Sequence, residues 1–147
     1  STTHAAVFVV VQLLGTSLGV VVANLMYDEP AVTWSTHSRG GHGQLLGEVV
    51  ATLGLVLVVF GVARSRRTAV PFAVGGYIAA AYWFTSSTSF ANPAITVARS
   101  LTNTFAGIDP SSIAAFVGAQ LVGGALGFLV VRVLYPDARQ IAEGIAA

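Results

Sequence analysis

Long apolar runs separated by short polar links dominate this chain. Four runs approach the length of about 20 residues that an apolar helix needs to cross a bilayer. They cover residues 5–27, 45–63, 68–85 and 112–135. Asp109 and Pro110 precede the fourth run and are typical of a helix start, with Asp as the N-cap and Pro at the first helical position. The pattern predicts an all-α membrane protein with four spans.

The composition agrees with a membrane protein and excludes several other classes. Of the 147 residues, 54% are apolar and 9% are charged, whereas about 25% charged residues is usual in soluble domains. A net charge of +1 gives no electrostatic footprint for nucleic acid. The absence of cysteine excludes a disulfide framework and a thiolate metal site. No charged segment precedes the first apolar run, so we predict no signal peptide and expect a portion of a longer protein.

Arginines set the expected orientation in the membrane. Residues 64–67 hold three arginines, and Arg132 and Arg139 flank the end of the fourth run. By the positive-inside rule both regions are cytoplasmic, and they agree because two spans separate them. The link 28–43 is then external, and the N-terminus and the C-terminus lie on the cytoplasmic side of the cell membrane.

Residues 86–109 are too many for a tight turn and too apolar for a solvated loop. Irregular backbone is tolerated at membrane depth only where it is buried in protein or lines a wet cavity. We therefore expect a re-entrant segment that descends as SSTSFA and turns at Asn92 and Pro93. It should return as a half-helix over about residues 92–105, its helical part running from Ala94 to Phe105.

An internal repeat relates the first and fourth runs. FVVVQLLGTSLGVVV, from Phe8, matches FVGAQLVGGALGFLV, from Phe116, in register. The offset of 108 residues pairs three residues with three others: Gln12 with Gln120, Gly15 with Gly123, and Gly19 with Gly127. A unit with three spans that repeats in tandem must be inverted. The repeat therefore predicts six spans, two half-helices and a first Asn-Pro-like segment about 16 residues before Ser1.

These features resemble the aquaporin, or major intrinsic protein, family of membrane channels. The resemblance is carried by Asn92, Pro93 and Ala94 after the penultimate span, by Glu48 and Thr52 in GEVVATLGL, and by the two Gln-x-x-Gly helices. It covers nearly the whole chain, as the third to sixth family helices. It implies a right-handed helical bundle that here lacks the first two helices and the first half-helix. It also implies a homotetramer of the full-length protein in membrane lipid, with no cofactor.

The resemblance implies a passive channel for water or small neutral solutes. Asn92 would cap the half-helix and present its amide to solutes in single file, with Pro93 at the first helical position. The positive ends of two half-helices would repel cations. The carbonyls of Ser89, Phe90 and Ala91 would accept hydrogen bonds from the solute.

Three further residues would support the re-entrant segment. Glu48 would accept hydrogen bonds from its backbone N–H groups, and Gln12 and Gln120 are structural supports on the repeated helices. A charge at this depth is expensive without partners.

One position departs from the family. Most members carry an arginine directly after the second Asn-Pro-Ala, where this chain has Ile95. Arg99 lies on the same helix face, about 6 Å further along the axis. Either Arg99 is a displaced filter residue, or an apolar filter admits bulkier solutes such as glycerol-like polyols or arsenite in its undissociated form. The filter residue of the fifth family helix is Tyr82 or Ala80, depending on the register.

Other classes fit the residues less well. No nucleophile–base–acid set is visible, so we predict no enzyme. His37 and His42 lack carboxylate or thiolate neighbours and belong to a solvated, Gly-rich loop rather than a metal site. A secondary transporter also has inverted repeats, but would carry more intramembrane ionisable residues than Glu48. A non-functional channel fragment is the third alternative.

Overall fold

A computed structural model describes residues 2–136, and these residues contain helices and no strand. Five α-helices occur in chain order: α1 (Thr2–Met26), α2 (His42–Ala63), α3 (Val70–Phe84), α4 (Pro93–Ala98) and α5 (Ile113–Leu134). Short 3-10 helices cover Arg67–Ala69, Arg99–Leu101 and Pro110–Ser112. The predicted all-α class is confirmed, while Arg139 lies outside the described residues.

Three helical segments of the described chain are long and apolar enough to cross a membrane. They are Thr3–Met26, His42–Ala63 and Pro110–Leu134. The predicted third run forms a 3-10 turn followed by α3, whose 15 residues are fewer than the roughly 20 that usually span a bilayer. That α3 crosses the membrane therefore stays a prediction.

The start of the last long helix follows the predicted cap. Asp109 is the N-cap of Pro110–Ser112, which leads directly into α5. Its side chain accepts hydrogen bonds from the hydroxyl and the backbone N–H of Ser111. These two bonds hold the pKa of the Asp109 carboxyl below its ordinary value. Pro110 at the first position loses no hydrogen bond, since its missing N–H would have no helical partner.

The half-helix is shorter than predicted. It is α-helical over Pro93–Ala98, tightens to 3-10 over Arg99–Leu101 and then stops, so the predicted end at Phe105 is wrong. Thr102 follows it as an extended C-cap, and backbone N–H groups from elsewhere in the chain donate to its last carbonyls. The three bonds run from Ile108 to Arg99, from Ser35 to Ser100 and from Thr33 to Leu101.

The described residues form two compact units. The first comprises residues 2–41 and 92–117, and in it α1 packs against α4 and the 3-10 turn that follows. Thr16 in α1 places its hydroxyl 3.3 Å from the carbonyl oxygen of Ala94 in α4. Asn24, buried near the end of α1, donates through its amide to the carbonyls of Ala31 and Leu101. The half-helix is thus held by α1 along its length.

The second unit comprises residues 42–91 and 118–136, and close backbone approaches define its packing. A methyl group added at Gly123 in α5 would lie 2.4 Å from the carbonyl oxygen of Val49 in α2. One added at Gly54 in α2 would lie 2.2 Å from the hydroxyl of Tyr77 in α3, which donates to the carbonyl of Ala51 at 2.9 Å. Backbone atoms exclude any side chain at Gly123, whereas at Gly54 the Tyr77 side chain would have to move. Both approaches are the close packing expected of small residues between membrane helices.

Candidate functional site

Glu48 occupies the centre of a polar cluster in the second unit. It lies on α2 and is completely buried. Its carboxylate accepts hydrogen bonds from the backbone N–H groups of Phe90 and Ala91, at 2.8 Å and 2.9 Å. The side-chain amide of Gln120 in α5 donates a third bond at 2.6 Å. The structure thus brings together the predicted support residues Glu48 and Gln120 with the last two residues of the descending segment.

A buried carboxylate needs such partners. Removing a charge from water costs several kcal/mol, which charge-assisted hydrogen bonds offset only if they are well aligned. One turn further along α2, the hydroxyl oxygen of Thr52 is buried and has no hydrogen-bond partner in the part of the chain that the structure describes. Glu48 and Thr52 share a helix face, but only the carboxylate ties down the descending segment.

The descending segment is strained. Thr88, Ser89 and Ala91 have φ values of 61°, 49° and 48°, a region that residues other than glycine rarely adopt. Each such residue costs on the order of 1–3 kcal/mol and persists where its surroundings fix it. The Glu48 carboxylate fixes the N–H groups of residues 90 and 91, and the Ser87 hydroxyl accepts from the N–H of Ser89 at 3.2 Å. Strain of this kind concentrates at functional sites.

Asn92 caps the half-helix in the first unit. Its backbone is extended, with φ −155° and ψ 124°, and its side-chain oxygen accepts from the N–H groups of Ala94 at 2.8 Å and Ile95 at 3.4 Å. Pro93 takes the first helical position, and the hydroxyl of Thr96 donates to the Asn92 carbonyl at 2.9 Å. These contacts fix which side of the amide carries the oxygen and which the nitrogen.

The nitrogen of that amide points at α1. Asn92 Nδ2 donates to Gln12 Oε1 at 3.0 Å, and the Thr16 hydroxyl donates to the Gln12 carbonyl one turn earlier on α1 at 2.7 Å. A primary amide has two N–H donors, so this bond leaves the second one of Asn92 for another acceptor. The repeat singled out Gln12 as a support, but nothing in the spacing paired it with Asn92. The feature of the sequence that indicates a role for Gln12 is a long polar side chain within an apolar helix.

The filter candidates are divided between the two units. In the first unit Ile95 and Arg99 are half-buried on the half-helix, and Ala94 is buried. In the second unit Phe90 and Ala91 are buried, while Tyr82 is half-buried with its ring edge-to-face against Trp83. Ala80 is exposed. Whether Tyr82 or Ala80 fills the filter position stays a prediction.

The link between α1 and α2 differs from the solvated loop that its glycines indicated. His37 and His42 are exposed, and the described residues contain no group of three or more side chains suited to a metal ion. Ser35 and Arg39, however, are each only 2% exposed. The backbone of the link forms hydrogen bonds with the segment that follows the half-helix. For example, the backbone N–H of Asp109 donates to the carbonyl of His37 at 2.8 Å. That pairing buries polar residues which composition alone assigns to solvent.

An Asn-Pro-Ala half-helix held against a long apolar helix, in an all-α chain with three helices able to cross a membrane, is consistent with a membrane protein of the aquaporin type. Comparison with known proteins supports this class. Over 136 residues, or 92% of the chain, the sequence is 47% identical to the aquaglyceroporin AqpS of Rhizobium meliloti (strain 1021). The chain spans 58% of the length of that protein. This similarity supports the assignment of the chain as a C-terminal portion of an aquaporin, or major intrinsic protein, family sequence. No protein-family model and no solved structure matches the chain.

Proposed function

We propose that the full-length protein is a passive transmembrane channel for water and small neutral solutes. The observation that carries the proposal is the state of the Asn92 amide. Its oxygen is committed to the helix cap and one N–H to Gln12, which leaves one N–H as a donor of fixed direction. A fixed donor can replace a hydrogen bond that a neutral solute loses on leaving water.

The same arrangement disfavours cations. The N-terminus of a helix carries partial positive charge. Asn92 and Pro93 form the start of the half-helix, and in this proposal that start faces the path of the solute. A cation would lose its hydration shell there and be repelled by the partial positive charge of the helix N-terminus. A neutral solute meets no such barrier, and the carbonyls of Ser89, Phe90 and Ala91 are the acceptors that the family mechanism assigns to it.

Bulkier neutral solutes are the proposed substrates. Ile95 stands where most family members carry an arginine, so the narrow part of the path has an apolar side chain there. Glycerol-like polyols and undissociated metalloid hydroxides such as arsenite fit such a filter. The similar AqpS is named an aquaglyceroporin, which supports a channel for solutes larger than water. In the second interpretation Arg99 reaches back and restores a narrow, charged filter.

The helices and the similarity to AqpS indicate a multi-pass membrane protein. We propose that it lies in the plasma membrane, with residues 64–67 and the C-terminus cytoplasmic, because positively charged links stay inside. A homotetramer is proposed from the family alone.

A carrier coupled to protons or ions is the rival. Coupling would require an intramembrane group that changes its charge or its ligand during transport, whereas the Glu48 carboxylate holds three donors of the protein itself. Solute uptake into proteoliposomes that contain the full-length protein separates the two. A channel gives a flux that rises linearly with the solute gradient and ignores proton and sodium gradients. Saturable uptake driven by an ion gradient would show a carrier.

A further inference from the structure

Arg39 is a buried cation for which the proposed pathway has no use. Its side chain is 2% exposed, although it lies in the link that follows α1. Its Nε donates to the carbonyl of Gly107 at 2.7 Å, and its Nη2 donates to the carbonyl of Phe105 at 2.7 Å. Its backbone N–H donates to the hydroxyl of Ser112 at 3.1 Å. The guanidinium therefore binds the carbonyls of residues 105 and 107, while the backbone of Arg39 binds Ser112.

The turn around this guanidinium has little freedom. A methyl group added at Gly107 would lie 2.1 Å from the carbonyl oxygen of Thr102 and 2.4 Å from the hydroxyl of Ser35. The backbone of residues 102–107 is thus folded tightly against the link. The carbonyls of residues 105 and 107 both accept hydrogen bonds from the Arg39 side chain, which therefore stabilises the turn.

The same turn ends on the half-helix. Ile108, next to Gly107 and completely buried, donates through its N–H to the carbonyl of Arg99 at 3.2 Å. The N–H of Ser35 donates to the carbonyl of Ser100 at 2.9 Å. A helix of six residues with one 3-10 turn is too short to be stable by itself, so the position of its end depends on these outside donors.

We propose that Arg39 is a positioning residue for the selectivity of the channel. By fixing the turn at residues 102–108 it sets where the end of the half-helix stands, and with it Ile95 and Arg99. The proposal rests on the proposed channel function. It assigns to a residue of the external link the task of holding the filter segment, in a chain that has no arginine directly after Asn-Pro-Ala.

The geometry requires arginine rather than any cation. A guanidinium offers donors in a rigid planar fork, so two of its nitrogens can serve two carbonyls at once. A lysine ammonium is a single point charge on a flexible stem. Arg39→Lys should therefore keep the charge and lose the fixed spacing between residues 105 and 107.

The test compares permeability ratios of the full-length protein in proteoliposomes. Arg39→Lys and Arg39→Met should each raise the ratio of glycerol to water permeability about threefold or more, because hydrogen bonds from charged groups are among the stronger ones and their loss frees the turn. Gly107→Ala should change the ratio as well. Thr36→Val is the control, since it removes only an exposed hydroxyl contact to Asn103, at 3.2 Å, between the same segments.

A ratio rather than an amount is measured because a purely structural residue would lower both fluxes together. Unchanged ratios in both Arg39 variants, with wild type conducting, would overturn the proposal. A wild type that conducts neither solute would instead refute the channel function. For a variant that inserts poorly, the proposal is tested in detergent by the rate of hydrogen exchange at the N–H groups of Ser35 and Ile108. Faster exchange in Arg39→Lys than in Thr36→Val supports the proposal, and equal protection contradicts it.

Discussion

The side chain of Asn92 donates a hydrogen bond to Gln12 over 3.0 Å, although 80 positions separate the two residues in the chain. The helix cap already holds the oxygen of the same amide. Asn92 is therefore oriented by two independent contacts, one from its own half-helix and one from α1. Because one N–H of the amide is bonded to Gln12, the direction of the remaining N–H is fixed as well.

Removing the acceptor at Gln12 should loosen that direction. We expect Gln12→Leu to lower the solute permeability of each channel about fivefold, since an ordinary hydrogen bond contributes about 1 kcal/mol. Gln12→Glu keeps an oxygen at the same distance and is the matched control, with a smaller loss expected. Stopped-flow light scattering at equal protein density measures both. Equal permeability in Gln12→Leu and wild type would show that Asn92 needs no support from α1.

Glu48→Gln should destabilise the protein. The substitution turns one carboxylate oxygen into a donor, which faces the backbone N–H of Phe90 in one orientation of the new amide and that of Ala91 in the other. An unsatisfied buried group costs about 1–3 kcal/mol, and the segment that holds the strained residues Thr88, Ser89 and Ala91 loses part of its support. Thermal unfolding in detergent measures the loss. Thr52→Val is the control on the same face, because the Thr52 hydroxyl has no partner among the described residues, and it should be neutral or slightly stabilising.

Gly123→Ala should separate α2 from α5. The added methyl group would lie 2.4 Å from the Val49 carbonyl oxygen, and overpacking of this kind typically costs about 1–3 kcal/mol. Gly118→Ala in the same helix is the control, since a methyl group there meets no described atom within 4 Å. The amount of folded protein extracted from membranes, followed by size-exclusion chromatography, compares the two. If Gly123→Ala is as abundant as Gly118→Ala, the approach of the helices is not tight.

Ile95→Arg tests the apolar filter. The long cationic side chain should narrow the path, so glycerol flux should fall more than water flux. Ile95→Val keeps an apolar side chain of nearly the same size and should leave the ratio of the two fluxes unchanged. Swelling of vesicles in water, glycerol and arsenite gives the ratios. A polyol-to-water ratio that Ile95→Arg does not change would place Ile95 away from the constriction.

The spans and the start of the half-helix could be predicted because their signals are local. Apolar length placed α1, α2 and α5 within a few residues of their ends. Asn92 and Pro93 predicted the start of the half-helix, since an N-cap side chain and a proline at the first position favour a helix in the residues that follow. The contact of Glu48 with the descending backbone followed from the family resemblance rather than from any spacing.

The end of the half-helix and the role of Arg39 could not be predicted in this way. The half-helix ends at Leu101 because the carbonyls of residues 99–101 accept hydrogen bonds from N–H groups far away in the sequence. No residue type in the sequence indicates such an end. Arg39 stands among glycines and histidines, which favours a solvated loop. Its burial arises from carbonyls more than 60 positions away, which no local pattern records.

The most direct measurement compares wild type with Asn92→Asp in the full-length protein. Aspartate keeps the oxygen that caps the half-helix, but it lacks the two N–H donors and adds negative charge. If Asn92 orients neutral solutes and helps to exclude cations, glycerol permeability in proteoliposomes falls and a proton conductance appears, while the folded amount is unchanged. Unchanged glycerol permeability with no proton conductance in Asn92→Asp would contradict the account.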